Sequence, residues 1–457
     1  MNREFSSFSK IAATKRVYLV LVLSILIGYA GMRVFNLAQA AQRVKTTADT
    51  TAYMRISREA ILDSRFLAAA RPFIFPLVLK VFGQDGQRVA WAQGLFSIVS
   101  WSVLAFSVAL SLHSLFLRLA AFGFVLLFSL HRYIIAWDSV LLTESLSLSL
   151  MALFLAGWLW LLRGWHWRKA LFLFAVAFLW AFCRDTNAWV VLMVALFLLL
   201  LVALRAADRR FLPLSLAFLL MFFLSNLTAD LGGRWIFPFQ NVLGRRILPD
   251  ERAVEFFAAC GMPVSPALMQ LSGGYANSLE RAFYEDPALE GYRVWLHRAG
   301  KACYVEWLLS DPIESVRVPL AEFNALIGME DIQPSLFSRS FSPLLPARLE
   351  AVLFPRRLLL LLFPALLGIT LLAVLTRAWK HNQAWWAVIG LAALVFPHYF
   401  IVWHGDAMGI YRHVVSVGVQ FYLGAWLVVL FVADRVLSFR AIQEMPVRQL
   451  WMRSLKQ

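Results

Sequence analysis

The chain is predicted to be an all-α polytopic membrane protein with about ten transmembrane helices. Of its 457 residues, 61% are hydrophobic and only 15% charged, and mean hydropathy is +0.69, too apolar for an ordinary water-soluble enzyme. Runs long enough to cross about 30 Å of hydrocarbon recur along it. The formal net charge of +16 is spread over the short connections between those runs, which fits membrane orientation and gives no nucleic-acid surface.

The predicted spans are 17–36, 89–112, 115–131, 142–162, 169–183, 187–204, 211–229, 357–376, 383–403 and 413–433. The first follows Lys15 and Arg16 with no small-residue cleavage site, so it is expected to be retained. The apolar stretch 73–82 is too brief and too proline-broken to cross and should lie at the interface or re-enter. Segment 230–356 is punctuated by Gly232, Gly233, Pro238, Pro249, Gly273 and Gly274 and has mixed charge, which predicts a small, mostly helical external domain. The expected division is a transmembrane module 1–229 with an external loop 33–88, the external domain 230–356, C-terminal helices 357–434 and a cytoplasmic tail 435–457. The absence of tandem repeats and heptads removes solenoid and coiled-coil architectures.

Alternate connections differ in charge. Arg163, Arg168 and Lys169, then Arg205, Arg209 and Arg210, then Arg377 and Lys380 share one side with both termini. The opposite short connections hold only Arg132, Arg184 and Arg412. Cytoplasmic loops carry the excess of Lys and Arg, so both termini are expected inside a plasma or inner membrane. Loop 33–88, segment 230–356 and Glu144 then face outward. Of three cysteines, Cys260 and Cys303 share the large polar segment and can pair if it meets an oxidising compartment.

The first loop holds the most chemistry. Residues 50–69 have the pattern of an amphipathic interfacial helix, with Tyr53, Ile56, Ala60 and Ile61 on one stripe. Asp49 precedes it, either as an N-cap or as a reactive carboxylate. Arg71-Pro72-Phe73-Ile74-Phe75-Pro76 follows. Glu144 opens a later span in LLTESLSLSLMAL, and Arg184 closes another in CRDTN.

In order and sidedness this set resembles the GT-C superfamily of integral-membrane glycosyltransferases, over roughly the first 230 residues. The resemblance rests on Asp49 with Tyr53 four positions on, Arg71-Pro72 with Pro76, Glu144 and Arg184; segment 230–356 has no counterpart in it. What it implies is inverting transfer of a sugar from a polyprenyl-phosphate donor to a glycan, lipid or protein acceptor at the extracytoplasmic face. Asp49 would be the general base. Arg71, Arg184 and Arg412 would hold the lipid phosphate, with Tyr53, Asp138, Glu144 and His404 in support. Many such proteins carry two adjacent acids where this chain has Asp49-Thr50-Thr51, so no metal ligands are assigned and a divalent metal is doubtful. The donor lipid is the one cofactor-like partner expected, beside membrane lipids.

The residue types suit that chemistry. A carboxylate whose pKa is raised by partial desolvation can take the acceptor's proton, and a departing lipid phosphate needs cations, best supplied by bidentate guanidinium groups. Arginines at a membrane boundary equally suit lipid headgroups. Two other functions fit the same features: a transporter or flippase of lipid-linked sugars, which the nearly uncharged middle spans disfavour, and a non-catalytic membrane subunit in which Asp49 caps a helix. Near the C-terminal end, His398 is expected in the core, and His404 and Asp406 lack metal-ligand spacing.

Overall fold

The computed structural model describes residues 2–328 and 343–443. Among them there is no strand, only an isolated bridge between Lys45 and Val140. The chain is an all-α membrane protein. Seven helices are long and apolar enough to cross a membrane, or eight if a bent pair forms one span.

In chain order, α1 (Asn2–Ala40) is followed by three short helices of the first loop: α2 (Ala48–Ile56), α3 (Ser64–Leu67) and α4 (Ile74–Val81). Next come α5 (Gly86–Ser111), α6 (Leu115–Ser129), α7 (Arg132–Ile135), α8 (Glu144–Leu162), α9 (Trp167–Ala181), α10 (Asp185–Ala203) and α11 (Leu212–Leu231). A second unit holds α12 (Ile236–Val242), α13 (Glu251–Ala259), α14 (Pro266–Met269), α15 (Glu280–Glu285), α16 (Glu290–Trp295), α17 (Lys301–Ser310) and α18 (Pro312–Ile327). The chain returns through α19 (Ala347–Leu353), α20 (Leu359–Leu375), α21 (Trp385–Ala393), α22 (Val395–Gly405), α23 (Ile410–His413) and α24 (Val415–Gln443). Residues 444–457 of the expected tail lie outside the described residues.

Helix α8 is the axis of the bundle, buried along nearly its whole length. Its serines explain how it packs so closely: Ser145, Ser147 and Ser149 are all buried, as are Ser97, Ser100 and Ser107 of α5 against which it lies. Small residues let apolar helices approach, and Ser100 and Ser107 hide their hydroxyls by donating to carbonyls one turn back.

Three of the expected spans fall short of the crossing length. The 115–131 span is bent by 57° into Leu115–Phe128 and Arg132–Ser139, α9 has 15 residues and α20 has 17. At about 22 Å, α9 is thinner than the hydrocarbon, yet it runs the length of α8: it leaves from the far end of that helix and delivers Arg184 to within 3.5 Å of Glu144 at its start.

The amphipathic helix expected over 50–69 is broken. Lys80 donates to the carbonyls of Ser57 and Glu59, ending α2, and Asp63 caps the separate α3. Only Tyr53 and Ile56 of the predicted stripe are buried, while Ile61 is exposed. Helix α4, eight residues and about 12 Å, cannot cross, as its prolines implied.

Residues 235–307 form a core of their own around Phe239, Phe257, Leu268, Phe283, Tyr292 and Cys303, separate from the core of the bundle. Cys260 and Cys303 are joined as a disulfide. The unit sits on α22, where Tyr304 donates to the His404 carbonyl and Trp403 to Glu322.

A candidate anion site at the helix N-termini

Asp49 is carried to its place by backbone pairing. Lys45 exchanges hydrogen bonds with Ser139 and Leu141, and the Thr50 hydroxyl donates to the Leu141 carbonyl at 2.9 Å. The loop before α2 is thereby fastened to the strand-like segment before α8, which puts Asp49 beside Glu144. That segment is itself held from inside the bundle. Gln93 donates to the carbonyls of Asp138 and Val140, and the Asp138 carboxylate accepts from Arg33 at 2.7 Å and Ser145 at 2.6 Å.

Arg71 arrives by a second fastening. Phe73 packs on Phe182, and the Ile74 amide donates to the Phe182 carbonyl, so the Arg71-Pro72 turn lies next to the end of α9 and hence to Arg184. The turn before it rests against Gly232, where a Cβ would meet the Ala69 oxygen at 2.2 Å. Arg234 joins the same parts, bonding Asp185, Thr228 and the Ser225 and Ala69 carbonyls.

The outcome is one charged cluster drawn from four distant segments. Arg71 donates to Asp49 at 2.5 Å, and Arg412 lies 2.8 Å from the other Asp49 oxygen. Arg412 Nε stands 3.3 Å from Glu144 Oε1, and Arg184 is 3.5 Å from the same oxygen. Arg184 also donates to His413 Nδ1 at 2.7 Å, which makes that imidazole an acceptor with its proton on Nε2. Burial first, then Arg412 and Arg184, push the His413 pKa well below its usual value, so the ring is neutral. Two carboxylates therefore face three guanidinium groups, leaving positive charge in excess.

Glu144 and Arg184 occupy the N-terminal ends of α8 and α10, whose unpaired amides and aligned dipoles add to that charge. Glu144 is buried, and its Oε2 finds no hydrogen-bond partner among the described residues; Arg412 Nε also makes no aligned hydrogen bond. The cluster thus holds one unspent donor, one unspent acceptor and a surplus cation.

Asp49 does not cap its helix. Thr47 does, in a reciprocal capping box with Thr50, so the carboxylate one position into the first turn is released for the arginines. The raised pKa expected for Asp49 is not found. Burial pushes it up, but Arg71 and Arg412 outweigh burial and hold it below the ordinary carboxylate range. Tyr53, one turn along, is edge-on to Phe75 at 5.1 Å; burial raises its pKa to about 12, keeping the phenol protonated.

Of the residues singled out by sequence, Asp49, Tyr53, Arg71, Glu144, Arg184 and Arg412 come together. Asp138 and His404 do not join them. Asp138 is engaged with Arg33 and Ser145, and His404 donates from Nε2 to the Ser315 carbonyl where the second unit meets α22. His413 and Asp406 border the cluster, Asp406 accepting from Asn241 at 2.9 Å. Burial pushes the Asp406 carboxyl up to about 6. Neither Arg33 nor Arg234 was visible as a partner in sequence, since each binds an acid far along the chain. Among the described residues no three His, Cys, Asp or Glu side chains gather as metal ligands, and both acids of the cluster are already paired with arginines. Such a donor set suits an anion better than a hard cation.

No protein-family description matches this chain, and no curated protein matches it in sequence.

Proposed function

We propose that the cluster binds the phosphate of a polyprenyl-phosphate-linked sugar and that the protein transfers the sugar, with inversion, to an acceptor hydroxyl. The single observation that carries this proposal is the convergence of Asp49, Arg71, Glu144, Arg184 and Arg412 at one end of an apolar bundle. A lipid phosphate placed there would meet guanidinium forks and two helix N-termini while its tail lay among apolar helices.

The pairing of Asp49 with Arg71 and Arg412 supports a specific sequence of events. An incoming phosphate competes with the carboxylate for the same two arginines. Once they turn to the phosphate, the effect that lowers the Asp49 pKa weakens, burial dominates, and the freed carboxylate becomes a better base. It takes the acceptor's proton as the hydroxyl oxygen attacks the anomeric carbon and the carbon–oxygen bond to the phosphate breaks. The arginines stabilise the departing phosphate. The Cys260–Cys303 disulfide in the unit at this end supports an oxidising, extracytoplasmic location for the site.

The test is transfer by purified full-length protein supplied with a crude extract of lipid-linked sugars and candidate acceptors. Carrier-dependent transfer is expected from the wild type and not from Asp49→Asn at equal folded protein. Undiminished transfer by the variant would remove Asp49 as the base.

A further inference from the structure

At the end of the bundle opposite Asp49, α8, α10 and α21 enclose a crevice of about 920 Å3, near the top of the roughly 300 to 1,000 Å3 range of small-molecule sites. Its walls are apolar, with Phe154, Trp158, Leu198 and Trp386 prominent. Its mouth is not: Arg205, Arg377 and Lys380 line it, with Asp208 as the one acid. Among the described residues none of the three cations has an ion-pair partner, and the nearest cation to Asp208 is Arg210, at 3.7 Å.

The backbone marks the same two arginines. Arg205 and Arg377 have φ of 56° and 52°, left-handed conformations that side chains with a Cβ rarely adopt; among the described non-glycine residues only Gln84 shares this. Each follows the last turn of a helix, α10 and α20, where glycine is the usual residue. Two unrelated helix ends thus each place an arginine where glycine would be the easier choice, and both arginines reach one opening.

We propose that this crevice binds an anionic glycerophospholipid from the leaflet on that side, its phosphate held by Arg205, Arg377 and Lys380 and an acyl chain lying along the apolar walls. The site is separate from the Asp49 cluster. The 19 residues of α8 and of α10, about 28 Å each, stand between them, so one headgroup cannot serve both. The proposal does not depend on sugar transfer.

The experiment is native mass spectrometry of the full-length protein in detergent, titrated with phosphatidylglycerol or phosphatidylcholine of identical acyl chains. Wild type is expected to retain phosphatidylglycerol preferentially. The double variants Arg205→Ala/Arg377→Ala and Arg205→Gly/Arg377→Gly are expected to bind it about tenfold more weakly, as loss of a charge-assisted contact predicts. The glycine pair relieves the left-handed backbone and should raise the melting temperature, so its loss of lipid is not a folding defect. Equal retention of both lipids by the wild type would overturn the proposal. So would an unchanged preference in the glycine pair, which would reduce the arginines to helix ends.

Discussion

Arg412 holds Asp49 at 2.8 Å although the two residues stand near opposite ends of the chain, and the same guanidinium reaches Glu144. Helix α23 and the first loop are therefore parts of one site, and the site is complete only when the C-terminal helices have docked.

Removing Arg412 should do two separable things. Arg412→Ala leaves the buried Glu144 with only Arg184 at 3.5 Å, and stability should fall by about 3 kcal/mol, as expected when one partner of a buried pair is lost. The double variant Arg412→Ala/Glu144→Gln should recover most of the melting temperature and none of the affinity for a polyprenyl phosphate. Thermal melting and lipid-phosphate binding on the same preparations check both.

Arg71 is more exposed, 29% against 20% for Arg412, and it meets a single carboxylate. Arg71→Ala should cost under about 1 kcal/mol of stability but about 1.5 to 3 kcal/mol of donor binding. Arg71→Lys keeps the charge and loses the fork, so binding should recover only in part. Equal donor affinity in all three proteins would assign Arg71 to headgroups.

Asp138 and Arg33 form the buried pair that anchors the segment before α8. Asp138→Ala should lower stability by about 3 kcal/mol, since it strands a buried guanidinium, whereas Asp138→Ala/Arg33→Met should be milder. Melting of the two variants checks this. A normal melting temperature with abolished transfer would instead put Asp138 in the chemistry.

Asp406 should give a pH signature. Its folded pKa, about 6, lies above the ordinary carboxyl value, so the folded state holds a proton that the unfolded chain releases between about pH 4 and 6. Stability therefore declines as pH rises through that window, by up to about 3 kcal/mol, and the loss is complete above it. Asp406→Asn keeps an acceptor for Asn241 and should abolish this decline relative to wild type in melting curves between pH 4 and 7. Parallel curves for the two proteins would contradict the assignment.

The fold class and the members of the cluster were legible in sequence because apolar length and the side of each charge are local properties. Asp49, Arg71, Glu144, Arg184 and Arg412 could be gathered at one boundary from hydropathy and connection order alone. Their pairing could not, because it depends on the Lys45–Leu141 fastening and the Phe73–Phe182 contact, which join segments far apart in the chain. For the same reason the sequence predicts a raised pKa for Asp49: partial burial is a local property, whereas contact with the two arginines that reverse its effect is a property of the folded chain. Position alone makes Asp138 a candidate site acid, and Arg33, hidden inside the first apolar run, is what draws it inward. The break in the first-loop helix comes from Lys80, a residue beyond the segment whose pattern predicted continuity.

The proposed mechanism requires phosphate and Asp49 to compete for the same arginines. The most direct measurement is the binding of a sugar-free polyprenyl phosphate to wild type and to Asp49→Asn at matched melting temperature. Removing the competing charge should tighten binding roughly tenfold, about 1.4 kcal/mol, in a protein that no longer transfers sugar. Equal or weaker binding by Asp49→Asn would mean that the carboxylate and the phosphate do not compete for these arginines.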